Sequence, residues 1–149
     1  RLPDSRFQMT NDGDSEPPMI RTKSIRSPIN RRGDGLRILV TRFRGRRVPS
    51  NRYHVWMPSL GPSEQLLRRI QTGRVTWRQF CREYRRELFM DGPIDARSRS
   101  IKNHGQKFTL RLIQQLGRRQ AVTLMCHCGE DETPCQRHEL RKTLRGRIA

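Results

Sequence analysis

The chain has 149 residues, enough for one domain with a moderate core, yet its hydrophobic content is 32% and its net charge +18. That balance excludes a large apolar core; no run nears the ~20 apolar residues of a membrane span, and no signal-peptide pattern opens the chain. A cytoplasmic protein with no membrane contact is the expectation. Of the 32 basic side chains 28 are arginine, whose planar fork suits phosphate pairing and stacking on bases, so nucleic acid or another polyanion is the expected partner. Diffuse charge of this kind gives affinity without sequence readout, and the pattern leaves the oligomeric state open.

Residues 1–18 are nearly devoid of apolar side chains and slightly acidic, which reads as a disordered leader that need not be native; Met19 directly precedes the first structured pattern, and residues 19–149 read as one domain. Met19 to Ile25 alternates imperfectly and predicts a first strand. Leu36 to Phe43 is the clearest strand, its continuous apolar centre typical of one covered on both faces. The loop Arg44-Gly45-Arg46-Arg47 follows at its carboxyl end, the edge at which open α/β sheets bind ligands. Arg44, Arg46 and Arg47 are therefore the first candidates for phosphate contact.

After a turn-rich segment around Trp56 to Ser63, Ser63 predicts a cap on a short helix through Leu66, Leu67 and Ile70, closed at Gly73. Thr76 and Gln79 form a capping box, and the helix they open should bury Trp77, Phe80, Cys81, Tyr84 and Leu88 along one face. Its other face carries Arg78, Arg82, Arg85 and Arg86; Arg82 and Arg86 are the second set of nucleic-acid candidates. Asp91-Gly92-Pro93 should end that helix. The polar block from Asp95 to Gln106, with Asn103 and His104 as candidates to complete a site, leads into a helix expected to face Phe108, Leu112 and Leu116 inward and to stop at Gly117. This order of elements predicts a small single α/β domain, its central sheet mostly parallel or mixed and flanked by helices.

The chemistry concentrates near the end of the chain. Ala121 to Cys126 reads as a buried strand, and the following residues hold three of the four cysteines, with His127, His138 and the acids Glu130, Asp131 and Glu132. Thr133-Pro134-Cys135-Gln136 fits a capping box with Thr133 as the cap, which would put Cys135 at the second helical position, where free N–H groups and the helix dipole lower a thiol pKa.

Three readings compete. The first is a zinc site of Cys126, Cys128, Cys135 and His138. Two cysteines two apart on an extended strand hold their sulfurs roughly 6.5 Å apart, whereas tetrahedral zinc wants about 3.8 Å; a kink at Gly129 could close that gap. The second is a thiol enzyme with Cys135 as nucleophile, Arg137 binding an anionic substrate, and His138 or His127 moving protons. It is not a phosphatase loop, since Glu132 and Pro134 stand where that loop needs arginine. The third is structural, with buried cysteines and a solvated acidic loop.

Ile20-Arg21-Thr22-Lys23, the strand Leu36 to Val40 followed by Arg42, Trp56 with Pro58-Ser59, the helix residues Trp77, Phe80, Tyr84 and Leu88, and Val122 into Cys126 followed by Cys135-Gln136-Arg137-His138 form a combined pattern. From Met19 to Leu144 it resembles the bacterial domain-of-unknown-function 488, or YeaO-like, family. Three positions depart from that family. Thr41 stands for a frequent Asp, Phe43-Arg44-Gly45-Arg46 for a W-P-R-G loop, and Gln136 for the histidine of a C-H-R block. The resemblance implies a small α/β domain and no particular reaction.

Overall fold

The computed structural model describes residues 17–93, 102–130 and 134–148. The leader up to residue 16, the block 94–101 and the loop residues Asp131, Glu132 and Thr133 lie outside these, as does most of the polar block before Asn103.

Four short strands make one parallel sheet: β1 (Ile20–Ser24), β2 (Leu36–Leu39), β3 (Val55–Trp56) and β6 (Val122–Cys126), in the order β1-β6-β2-β3. All five residues of β6 are buried, as a strand with parallel neighbours on both sides requires. Ser24 pairs with Cys126 across one side and Leu39 with Met125 across the other. The last strand in sequence thus enters between the first two, and the carboxyl ends of β1, β2 and β6 meet at one edge.

The strand predicted from Leu36 to Phe43 has ladder pairing only to Leu39, although Val40 still donates to Met125 O and Val40 and Thr41 stay buried. Beyond it the Thr41 hydroxyl bonds to Phe43 O at 2.6 Å, and Arg42 spends its guanidinium on Gly61 O and Pro62 O, both at 2.9 Å. These bonds turn the chain away from the sheet.

Alternation along the strands gives two faces. Ile20, Ile38, Val40, Val122 and Leu124 join the main core with the helices, whereas Ile25, Leu39 and Met125 form a small second cluster against Val48 and Tyr53. The main core takes in α2 (Glu64–Gln71), α3 (Trp77–Leu88), α4 (Lys107–Arg119) and α5 (Gln136–Arg145); a single turn, α1 (Arg31–Asp34), links β1 to β2. Ser63 caps α2 by accepting from Leu66 N at 3.1 Å, and both halves of the Thr76–Gln79 capping box are formed, as predicted. Phe80, Tyr84 and Leu88 are buried, Trp77 and Cys81 are half-buried against them, and Arg78, Arg82, Arg85 and Arg86 are exposed.

Asp91-Gly92-Pro93 does more than end α3. It forms β4, paired antiparallel with β5 (Lys102–His104) in a separate ribbon that contains the backbone of Asn103 and His104.

The largest departure is α4. Phe108 and Leu112, predicted to face inward, are each 58% exposed, while Leu110, Ile113 and Gly117 are buried. The helix also runs through Gly117 to Arg119. Gly117 lies against β1: a Cβ there would come within 2.7 Å of Ile20 Cδ1, and Met19 N donates to Gly117 O at 2.7 Å. Close packing on glycine, with Gln106 N tied to Leu88 O, fixes the rotation of the helix and overrides its richer apolar stripe.

A buried arginine and a thiol pair at the sheet edge

Cys126 ends β6 and shares a face with Val122 and Leu124, so its sulfur points into the helix-covered side. There it meets α5. Cys135 is the extended N-cap of that helix (φ −139°, ψ 141°), one position before its start. The predicted cap Thr133 lies outside the described residues. Cys135 is not the second helical residue, and the Gln136 side chain donates instead to Val40 O at 2.7 Å, binding α5 to the end of β2.

Cys126 Sγ and Cys135 Sγ lie 2.9 Å apart. Arg137, in the first turn of α5, is fully buried and donates Nη1 to Cys126 Sγ at 2.8 Å and to Cys128 O at 3.1 Å, and Nη2 to Gly129 O at 2.9 Å. Among the described residues it has no carboxylate within ion-pair distance, and its Nε has no partner. A buried cation without a counter-charge is costly; the sulfur it touches supplies one.

The two thiols divide their roles accordingly. The hydrogen bond from Cys135 is the largest influence on Cys126; burial opposes it, and the Arg137 charge adds to it, so Cys126 is pulled down to about 6. Cys135 holds the shared proton, and that bond, burial and the charge on Cys126 push it well above the thiol range. A helix start that stabilises an anion points to Cys135 as the activated thiol, whereas the Arg137 guanidinium makes its sulfur contact with Cys126. Arg137 accordingly serves sulfur before substrate.

The three sulfurs of Cys126, Cys128 and Cys135 lie within 4.8 Å of one another, close enough to bind a metal ion. The strand argument that separated Cys126 from Cys128 fails because β6 ends at Cys126 and the chain bends at once. His138 does not join this group; its backbone N–H donates to Cys135 O at 3.1 Å. Of the acids, Glu130 is held below its usual range despite partial burial, because the Ser27 hydroxyl and Ser24 N donate to it. That ties the loop to β1.

His127 sits between two cavities. Its Nε2 lies 3.0 Å from Phe43 O, which can only accept, so this nitrogen carries a proton and Nδ1 is the free nitrogen of the neutral ring. One cavity, about 410 Å³, opens on Cys126, Cys128 and Cys135 and is walled by Phe43, Leu67, Ile70, Trp77 and Phe80. The other, about 650 Å³, is lined by Arg26, Arg46, Arg47 and Arg52 with Ile25 and Val48. Both include Phe43 and His127.

Arg46 and Arg47 line this second cavity. Arg44 instead braces its own loop, donating to the Tyr53 hydroxyl at 2.5 Å and to Val48 O at 3.1 Å. Arg82 and Arg86 lie on the open face of α3 and line neither cavity. Arg26 and Arg52 were not among the sequence candidates; Arg26 follows the end of β1 at the ligand-binding edge, where that rule could have found it, whereas Arg52 precedes β3 and reaches the site only through the fold.

A family model described as "Active DUF488-N3 subclade" (DUF488-N3a) matches residues 20–148. No curated protein and no solved structure matches the chain.

Proposed function

From the premise that the chain belongs to the DUF488 family, in its active N3 subclade, we propose that it is a thiol-dependent enzyme acting on an anionic substrate, with Cys126 as the nucleophile. The observation that carries this reading is the buried Arg137 guanidinium against Cys126 Sγ, with no carboxylate in contact among the described residues. A thiolate is the reactive form of cysteine, and a lowered thiol pKa raises its share near neutrality. In the reaction the Cys126 sulfur forms a bond to an electrophilic centre of the substrate, and the leaving group departs with the electron pair of the broken bond. Cys135, which holds a proton next to that sulfur, and His127, with its free Nδ1, are the groups within the same cavity that exchange protons with it.

The charge of +18 supports an anionic substrate, nucleic acid among the possibilities. We place the protein in the cytoplasm, where thiols stay reduced; among the described residues no helix is long and apolar enough to cross a membrane.

The spacing of the three sulfurs within 4.8 Å favours a second reading, a zinc ion on Cys126, Cys128 and Cys135 with an open fourth position. Binding zinc would require the Cys126 and Cys135 sulfurs, 2.9 Å apart, to separate to about 3.8 Å. One experiment separates the readings: metal content of protein purified under reducing conditions, with alkylation mapped by mass spectrometry from pH 4 to 10. The thiolate reading expects no stoichiometric metal and Cys126 modified with a midpoint near pH 6. About one zinc per chain, lost in both Cys126→Ser and Cys135→Ser, decides for the metal. Metal-free protein in which Cys126 titrates like an ordinary thiol overturns both.

A further inference from the structure

The arginine-lined cavity beside the thiols has no part in the chemistry just described, yet it is built with care. Three strand ends converge on it: Ile25 and Arg26 follow β1, the segment from Phe43 to Pro49 follows β2, and His127 follows β6. Among the described residues four arginines line it and no acidic residue does. Arg52 is held by donating to Ile25 O at 2.9 Å and Ser27 O at 2.6 Å. The guanidinium groups of Arg26, Arg46 and Arg47 donate to no protein acceptor among the described residues, so their forks remain available; only the backbone of Arg26 is engaged, on the Ser24 hydroxyl.

The loop that carries Arg46 and Arg47 is fixed from both sides. Arg44 anchors it to Tyr53, and Gly45, at φ +86°, lies so close to the His127 ring that a Cβ would stand 2.9 Å from Cε1. Only glycine tolerates both that φ and that approach. The loop therefore rests directly on the residue that divides this cavity from the thiol cavity. A concave site of one charge sign focuses the field on an anion, and arginine forks match phosphate oxygens in pairs.

We propose that this cavity is the phosphate subsite of the substrate: a phosphate group sits among Arg26, Arg46, Arg47 and Arg52, while the body of the same molecule passes Phe43 and His127 into the apolar thiol cavity. The substrate class is then a phosphate ester with a flat or apolar body, walled by Trp77, Phe80 and Ile70. This assignment rests on the thiolate reading for the reacting end, but the phosphate end stands on its own residues.

The test is isothermal titration calorimetry of inorganic pyrophosphate and, separately, of a short single-stranded oligonucleotide, at low salt. The proteins are wild type, Arg46→Gln/Arg47→Gln, and Arg82→Gln/Arg86→Gln as a control for diffuse charge. The expected result is saturable pyrophosphate binding, weakened roughly tenfold or more by Arg46→Gln/Arg47→Gln and unchanged in the control. Pyrophosphate binding that the oligonucleotide does not displace assigns the phosphate to a small ester. Displacement by the oligonucleotide, with the same dependence on Arg46 and Arg47, assigns it to a nucleic-acid strand. No binding to wild type, or equal weakening in both variants, overturns the subsite. Site-specific pyrophosphate binding alongside a Cys126 that alkylates as an ordinary thiol sinks the thiolate reading and leaves the phosphate site standing.

Discussion

Two cysteines of this protein are tuned in opposite directions by neighbouring residues of one helix. Arg137 of α5 reaches Cys126 at the sheet edge, whose pKa falls to about 6. Glu139, two positions on, acts on Cys81 of α3, which is raised to about 11, first by its burial and then by the Glu139 charge. Both thiols are at least half-buried, so desolvation alone would raise both. The difference lies first in the Cys135 hydrogen bond that only Cys126 receives, with the opposite charges of Arg137 and Glu139 adding to it. It also separates a poised sulfur from an inert one of the same residue type.

Arg137→Met should break that contrast most strongly. The substitution keeps most of the packing volume but leaves Cys126 without its cation and the Cys128 and Gly129 carbonyls without their donor. We expect a loss of about 2 kcal/mol in chemical denaturation and a Cys126 alkylation midpoint moved up towards 9. An unchanged midpoint would show that Arg137 does not govern the sulfur.

The same pairing has a pH signature. Cys126 is depressed from 9.0 to about 6, so its interactions with Cys135 and then Arg137 contribute stability that is complete above pH 9 and is lost as pH falls through 6. The Arg137→Met variant should be flatter over that window, as read by thermal melts at fixed ionic strength.

Gly45→Ala ranks next. The added Cβ meets the His127 ring, and the backbone sits where L-residues are disfavoured, at a cost of about 1 kcal/mol. Its loop should shift away from His127, weakening pyrophosphate binding while the Cys126 midpoint stays put. A fall in both would couple the two cavities more tightly than their shared wall implies.

Glu139→Gln is the smallest. It removes an ion pair with Arg85 that is half-exposed on the arginine side, worth under ~1 kcal/mol, and should lower the Cys81 pKa while burial keeps it above 9.0. Site-resolved alkylation at high pH reads this directly; a Cys81 unmoved by the change would leave burial as its sole control.

Much of the scaffold was legible. The caps at Ser63 and Thr76, the buried stripe Phe80, Tyr84 and Leu88, and the apolar strands ending in Cys126 all formed because their signals are local: a hydroxyl bonds to an amide three residues on, and alternation or a helical repeat sorts a face. The site was legible as an address, with three cysteines and Arg137 in one stretch, and Arg46 and Arg47 at a strand's carboxyl end. It was misread where two local rules competed. Thr133-Pro134 offered a better helix start than the one used, and Phe108 with Leu112 offered a fuller apolar stripe than Leu110, Ile113 and Gly117. In each case packing on a distant strand won: Gln136 on Val40 O and Gly117 on Ile20.

By itself, then, the sequence determined that this is a small basic α/β domain with three of its four thiols at or just after the end of the last strand, because periodicity, turn chemistry and composition act over a few residues. Only the tertiary structure decided that the Arg137 guanidinium meets Cys126, and that Arg26 and Arg52 join Arg46 and Arg47 around one cavity. Those outcomes depend on insertion of β6 between β1 and β2, which brings together residues as far apart in the chain as Arg26 and His127. Ionisation and binding follow distance through space, and that distance is set by the fold.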